Sequence, residues 1–344
     1  MVLKYISLFS GIGGFELAIE NLHPRAKCLF FSEIDPSAIR VYTKHFPGHR
    51  NAGDVRQISA NTLRAAVDAA GGCDLIVAGF PCNDLTSISP LMEGLDGAHS
   101  GLFYEMLRII KTVRSMNTRL QIVVENNASM ASRWKDVITA ELSSAMGCRV
   151  FPSMVDSTTI GVQARKRLFW TTCDIPEFVG VRQTWSDVLE PVNSEAITSD
   201  AYHHVELAKR RNGLVDKKSV NSVSFEAVIV RGDKYRFVVR PRADKDTRWV
   251  KYPHHSDTAL ETSRTIHTAA NDSVLLDRRG CAQGTFRIRR FTVKELARLF
   301  TFPDHYVLGT VNAAYVLYGK AVIVRVVEHV LKHALRRTRS NCGT

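Results

Sequence analysis

Short apolar runs and helix-period segments take turns through the first half of the chain. Tyr5–Phe9, Cys28–Ser32, Leu75–Ala78, Gln121–Glu125 and Leu168–Thr172 are compact apolar runs bounded by turn-forming residues, and they read as buried strands. Between them, Phe15–Asn21, Pro36–His45, Asn61–Ala70, Leu102–Arg114 and Trp134–Met146 place apolar residues at helical spacing. A further strand is expected just before Asn51-Ala-Gly53. Alternation of this kind predicts a mostly parallel sheet with helices on both faces, an α/β architecture.

From about residue 180 to 285 the pattern changes. Apolar runs shorten, charges intermix, and the histidine pairs His203-His204 and His254-His255 appear. Phe225–Val230 and Tyr235–Arg240 predict a hairpin turning at Arg231-Gly-Asp-Lys. Helical pattern returns over 292–300 and 312–335, and the Val-, Ile- and Leu-rich stretch Ala313–Leu335 is expected to pack back on the first domain. The organisation expected is thus 1–178, a smaller irregular and partly β region over 179–288, and a returning segment over 289–344.

Composition narrows the class of partner. The formal net charge of +12 favours a polyanion such as nucleic acid. Hydrophobic content of 45% and charged content of 23% are ordinary for a globular chain. No run of 18 or more apolar residues exists, so no membrane partner is expected, and Met1–Phe9 reads as a first strand rather than a leader. Seven scattered cysteines without a C-x-x-C predict reduced thiols in a cytosol-like compartment and no metal site.

Four constellations carry candidate chemistry. In Phe9-Ser10-Gly11-Ile-Gly13-Gly14, glycines after the first strand allow a tight turn and close ligand approach. Glu33-Ile34-Asp35 ends the second strand, where an acidic residue can bind ribose hydroxyls, and Asp54 could accept from an adenine amine. The pattern lacks the full dinucleotide form, so a nucleoside cofactor without pyrophosphate fits better. Pro81-Cys82-Asn83 follows a buried strand: a thiol there is either a small buried hydrophobe or a presented nucleophile, and ligands of open α/β sheets gather at such strand ends. Glu125-Asn126 ends another strand and is either a cap or surface residue, or an acid for a ring nitrogen. Gln163-Ala-Arg165-Lys-Arg167 places alternate residues on one side, as a solvated basic edge or as a holder of a carbonyl oxygen and phosphates.

Taken together, these residues closely resemble the motifs of the DNA (cytosine-5)-methyltransferase family. Phe9–Gly14 is similar to its cofactor motif, and Glu33 and Asp54 to its adenosine contacts. Pro81-Cys82, Glu125-Asn126 and Gln163–Arg167 resemble its catalytic dipeptide, Glu-Asn and Gln-x-Arg-x-Arg motifs. Arg290–Asp304 is similar to its late structural motif, and Tyr318-Gly319-Lys320-Ala321-Val322 to its final one, in the family's order over nearly the whole chain. The resemblance implies a Rossmann-like class I S-adenosylmethionine-dependent fold with a mostly parallel seven-stranded sheet, the 179–288 region being the target-recognition domain. It implies Cys82, Glu125, Arg165 and Arg167 as catalytic residues acting on a cytosine flipped out of double-stranded DNA. Phe9, Ser10, Gly11, Gly13, Gly14, Glu33, Ile34, Asp54, Pro81, Leu102, Lys320, Ala321 and Val322 would hold S-adenosyl-L-methionine. Asn83, Asn126, Gln163, Arg240 and Arg242 would meet the DNA. No metal is implied, and the expected protein is a monomer in the cytoplasm of a bacterium or a phage-infected host.

Two departures matter. Asn83-Asp84-Leu85 after the catalytic Cys82 resembles the animal de novo enzymes, whereas the late Thr-Phe-Pro-Asp motif is similar to bacterial and phage members. Lys320 stands where the family's final motif usually has Asn, near the methionine end of the cofactor. A cation beside a sulfonium is unfavourable, so Lys320 is expected to turn to the cofactor carboxylate or to solvent. A sharper expectation is carboxy-S-adenosyl-L-methionine, whose added carboxylate would pair with Lys320 and yield 5-carboxymethylcytosine. A tRNA cytosine-5 methyltransferase and a non-catalytic DNA-binding paralogue are the remaining alternatives.

Overall fold

The computed structural model describes residues 2–81, 101–191, 203–206, 218–220, 223–231, 234–239, 249–251, 274–277, 285–306 and 309–336, of which 203–290 are described by backbone pairing. The chain forms two compact units. One comprises Met1–Arg182, Phe300–Phe302 and Lys320–Thr344; the other comprises Gln183–Leu299 and Pro303–Gly319.

The first unit runs β1 (Lys4–Leu8), α1 (Gly14–Leu22), β2 (Lys27–Ser32), α2 (Pro36–His45), α3 (Ala60–Ala70), β3 (Leu75–Gly79), α4 (Leu102–Met116), β4 (Gln121–Asn127), α5 (Ser132–Met146), β5 (Phe151–Asp156) and β6 (Lys166–Thr171). Local chemistry sets the boundaries. Asp35 accepts from the Ser37 amide ahead of Pro36 and starts α2, and Ser59 accepts from Thr62 and starts α3. Gly71 and Gly147 end α3 and α5 in the left-handed region, at φ 67° and 62°.

The strands form one sheet of order β2-β1-β3-β4-β6-β5. The first four are mutually parallel, while β6 runs antiparallel to both β4 and β5. Among the described residues six strands stand in this sheet where seven were expected. The segment before Asn51 makes only a single parallel bridge, Asn51 to Phe31, because the chain turns away at Gly53 (φ 73°) into a short 3-10 turn. One face packs Ile6, Leu8, Ile76, Ala78, Ile122, Val124 and Trp170 against Leu63, Val67, Met106, Ile110, Ile138 and Leu142 of α3, α4 and α5. These side chains are nearly all withdrawn from water, and their burial supplies the main drive to form the layer.

The second unit holds α6 (Trp185–Val188), β7 (His203–Glu206), β8 (Lys218–Val220), β9 (Val223–Arg231), β10 (Lys234–Val239), β11 (Trp249–Lys251), β12 (Val274–Asp277), β13 (Thr285–Arg290) and α7 (Val293–Leu299). Two antiparallel sheets are formed, β11-β10-β9-β8 and β12-β13-β7. The expected hairpin is present: Lys234 pairs with Arg231 across a two-residue connection. Glu295 of α7 is fully buried and accepts from the Glu190 and Thr292 amides.

The stretch expected to be helical over 312–335 is instead two helices, α8 (Val311–Lys320) and α9 (Val324–Ala334). The break has a cause in the backbone: Ile323 is extended, the Val324 amide donates to the Phe300 carbonyl, and the Ala321 carbonyl accepts from Arg165. In the first unit α9 packs on α1, where Asn21 Nδ2 donates to Glu328 Oε1 at 2.7 Å.

Candidate active site

The glycine turn is built by three left-handed residues, Phe9 (φ 56°), Gly11 (φ 56°) and Gly13 (φ 90°). At Phe9 a side chain is held in a backbone region that costs free energy, a feature common at ligand sites. The turn is fixed from below by Ser10, whose amide donates to the Ser32 carbonyl and whose hydroxyl meets that of Ser7. Gly14 opens α1 against the final motif: a Cβ there would lie 2.7 Å from Val322 Cγ2 and 3.2 Å from Phe302 Cζ. No larger residue fits without displacing that contact.

Glu33 ties this turn to the end of β2. Its Oε2 accepts from the Gly11 amide at 2.8 Å, and Oε1 accepts from the Ile34 and Asp35 amides. Ile34 presents 63% of its surface to solvent. An exposed isoleucine beside the strand end offers an apolar surface to a ligand, and Cβ positions at Gly11 and Gly53 meet nothing within 4 Å. This apolar surface and open space fit a nucleoside cofactor. Asp54 is otherwise engaged, capping Arg56 and pairing with its guanidinium, which holds the Asp54 carboxyl below its ordinary range.

At the neighbouring strand ends the expected acid meets an expected arginine. Glu125 ends β4 beside Gly79 of β3, and a Cβ at Gly79 would lie 3.3 Å from Glu125 Oε2. Glycine therefore leaves the carboxylate room to lie across β3. Arg167 stands opposite Asn127 on β6, and its Nε reaches diagonally to Glu125 Oε1 at 2.9 Å. Both side chains are more than four-fifths withdrawn from solvent. Asn126 is buried and its amide donates to the Phe80 carbonyl at 3.1 Å, which fixes the turn entering Pro81. Cys82 and Asn83 follow Pro81 and lie outside the described residues, as do Arg240 and Arg242. Leu102 opens α4 and packs against the core.

Gln163 and Arg165 precede β6 and are buried, whereas Lys166 is exposed and pairs with Asp156. They are not equivalent. Gln163 is 1% exposed, and neither atom of its amide head has a hydrogen-bond partner in the protein. Arg165 is buried, donates to the Ala321 carbonyl at 3.0 Å and stacks 5.4 Å from the Phe300 ring centre. Lys320 is also directed within the protein: its Nζ lies 3.1 Å from Asp35 Oδ2. Asp35, Gly79, Phe300 and Phe302 were not singled out as site residues from the sequence. Asp35 was adjacent to the expected Glu33-Ile34 pair, but its partner lies far along the chain. Among the described residues no group of three or more His, Cys, Asp or Glu side chains could hold a metal ion.

Strand order, the glycine turn and the acidic strand end define a Rossmann-like fold of the S-adenosylmethionine-dependent methyltransferase class. Solved structures agree at the level of fold. A methyltransferase of Entamoeba histolytica, EhMeth, superposes with a TM-score of 0.64 over 97% of this chain and 98% of its own, at 15% identity. A putative DNA modification methyltransferase encoded within an Escherichia coli prophage gives a TM-score of 0.53 over 97% and 100%.

The C-5 cytosine-specific DNA methylase family model matches residues 3–336, and the chain belongs to that family of DNA cytosine-5-methyltransferases. The Type II methyltransferase M.NlaX of Neisseria lactamica is 24% identical over 97% of both chains. M2.BsuMI of Bacillus subtilis is 32% identical over 171 residues, which is 48% of this chain and 40% of that relative.

Proposed function

We propose that the chain transfers a methyl group from S-adenosyl-L-methionine to C5 of a cytosine flipped from double-stranded DNA. The observation that carries this reading is the Glu125–Arg167 pair at 2.9 Å, set beside the Pro81 turn by Asn126. The pair sets a carboxyl group beside the strand end that leads into a cysteine, and an acid and a thiol are the groups that a covalent attack on a pyrimidine uses.

In this reading the Cys82 thiolate forms a bond to C6, and electron density moves into the ring. Glu125 delivers a proton to N3 and so neutralises the charge that builds there. Arg167 holds the Glu125 carboxyl group and faces the base O2. Gly11, Gly13, Glu33 and Ile34 hold the cofactor, which supplies an electrophilic methyl group at its sulfonium. Carbon C5 takes that methyl group and leaves the sulfonium as a neutral thioether; the C5 proton is then lost to a base, N3 returns its proton to Glu125, and the C6–sulfur bond breaks to return the Cys82 thiolate. Arg165 acts as a positioning residue for the Ala321 turn. Gln163, whose amide head has no partner in the protein, is left to meet the DNA.

The domain organisation follows from this reading. Residues 1–178 are the catalytic and cofactor-binding domain, 179–288 read the target sequence with Arg240 and Arg242 among the contacts, and 289–344 complete the fold. The placement of Lys320 against Asp35 supports ordinary S-adenosyl-L-methionine, because the ammonium already has an anionic partner. A bacterial or phage-infected cytoplasm is the setting that suits such an enzyme, acting as a monomer.

Cys82→Ala is the decisive variant. Purified chain and variant are incubated with duplex DNA or tRNA, and with S-adenosyl-L-methionine or carboxy-S-adenosyl-L-methionine, and modified nucleosides are identified by mass. We expect 5-methylcytosine in duplex DNA from the natural chain and none from Cys82→Ala. Full activity of Cys82→Ala would overturn the mechanism. A carboxymethyl product alone, or modification of tRNA alone, would overturn the cofactor or the substrate.

A further inference from the structure

The cofactor residues form a closed ring, and one link of that ring differs in kind from the rest. Starting at the glycine turn, the Gly11 amide donates to Glu33. Glu33 also accepts from the Asp35 amide. Asp35 meets the Lys320 ammonium at 3.1 Å. Two residues on, Val322 lies against Gly14, which returns the ring to the glycine turn. The carbonyl of Ala321 is anchored separately by buried Arg165.

Four features separate the Asp35–Lys320 link from the others. It joins two side chains rather than a side chain and a backbone amide. It pairs two full charges. Its partners keep 30% and 56% of their side-chain surface in water, so it is the most solvated part of the ring. It also bridges positions 285 apart in sequence, so parting it opens the ring without disturbing a secondary-structure element. Burial acts to raise the Asp35 carboxyl, but the Lys320 and Ser37 donors outweigh it and hold the group ionised.

We propose that Asp35 and Lys320 form an ionic strap across the cofactor site, which parts to admit the cofactor and, once closed, slows its departure. Lys320 is then a positioning residue that acts through Asp35, not a ligand of the cofactor. The strap rests on the cofactor reading given above. It also accounts for a lysine in a place where bare charge would oppose a sulfonium, since Asp35 supplies the compensating anion at contact distance.

The test is a double-mutant cycle on the full chain, with S-adenosyl-L-methionine as the probe. Equilibrium binding and dissociation rate are measured for the natural chain, Lys320→Met, Asp35→Asn and the double variant. Asparagine is chosen because it can still cap α2. Each single variant is expected to weaken binding about two- to fivefold, the range of a solvated ion pair, with the loss in the dissociation rate. The double variant should be no weaker than the singles, and Lys320→Arg should stay within about twofold of the natural chain. Raising the salt should bring the natural chain towards the variants and leave them nearly unmoved. Additive losses, tighter binding by Lys320→Met, or failure of Lys320→Arg to restore binding would overturn the strap. If the natural chain binds no S-adenosyl-L-methionine, the cofactor reading falls and the strap with it; if it binds and the cycle is additive, only the strap falls.

Discussion

Glu16 should make the fold less stable as the solution becomes more alkaline, against the usual behaviour of a carboxylate. It lies in the first turn of α1, directly after the glycine turn, and is fully buried. Its Oε1 accepts from the Tyr42 hydroxyl at 3.0 Å, and its Oε2 has no hydrogen-bond partner. Tyr5, Cys28 and Glu20 are its titratable neighbours, and His49 sits on the far side of the Tyr42 hydroxyl. Burial pushes the Glu16 carboxyl up from 4.5 to about 7, although the hydroxyl donors and the helix N-terminus pull the other way.

The sign follows from proton counting. Between pH 4.5 and about 7 the folded state keeps a proton that the unfolded state has released. Stability therefore falls as pH rises through that window and is level above it. The 2.5-unit difference corresponds to about 3 kcal/mol at 1.36 kcal/mol per unit. Glu16→Gln removes the ionisation and keeps the shape, at a cost of about 1 kcal/mol for a less well paired amide. At pH 8 the variant should thus be more stable by about 2 kcal/mol, and at pH 4.5 it should be equal or slightly weaker. Urea denaturation across this range, read as variant minus natural chain, cancels the titration of His49 and of the surface carboxylates. A difference that does not change with pH, or a variant less stable at pH 8, would refute the reasoning.

Two further perturbations probe the site itself. Glu125→Gln should lower the single-turnover rate of methyl transfer by about 10²–10⁴-fold, because it removes a transferable proton and keeps the side-chain volume. Gly14→Ala should cost about 1–3 kcal/mol in urea denaturation and weaken cofactor binding, since its methyl would sit 2.7 Å from Val322 Cγ2. Adding Val322→Ala, which deletes that atom, should recover much of the loss.

Much of the first unit could be read from the chain because strand and helix periods are local. The five strands expected there appear within a residue or two, and helices start at capping residues visible in the sequence, Asp35-Pro36 and Ser59. The glycine turn, the acidic strand end and the Glu125-Asn126 pair were visible for the same reason, each being a short run of residue types at the end of a strand, where open α/β sheets gather their ligands. β5 was missed, since Phe151-Pro-Ser-Met-Val-Asp carries a proline and reads poorly as a strand. At the sheet edge, with β6 as its one neighbour, proline is tolerated.

What the chain alone could not decide was how side chains far apart divide their work. Two arginines of one motif have the same chemistry in sequence, yet Arg167 meets Glu125 while Arg165 is buried on Ala321 and Phe300. Glu33 was expected at a ribose, and in the structure its oxygens first hold the glycine turn and its own strand end. Lys320 posed a charge problem that local pattern could not resolve, because its counter-ion, Asp35, is 285 residues away. Periodicity and motif order are written along the chain and follow from short-range sterics and burial. The pairing of charges depends on which strand ends meet, and only the folded sheet brings those together.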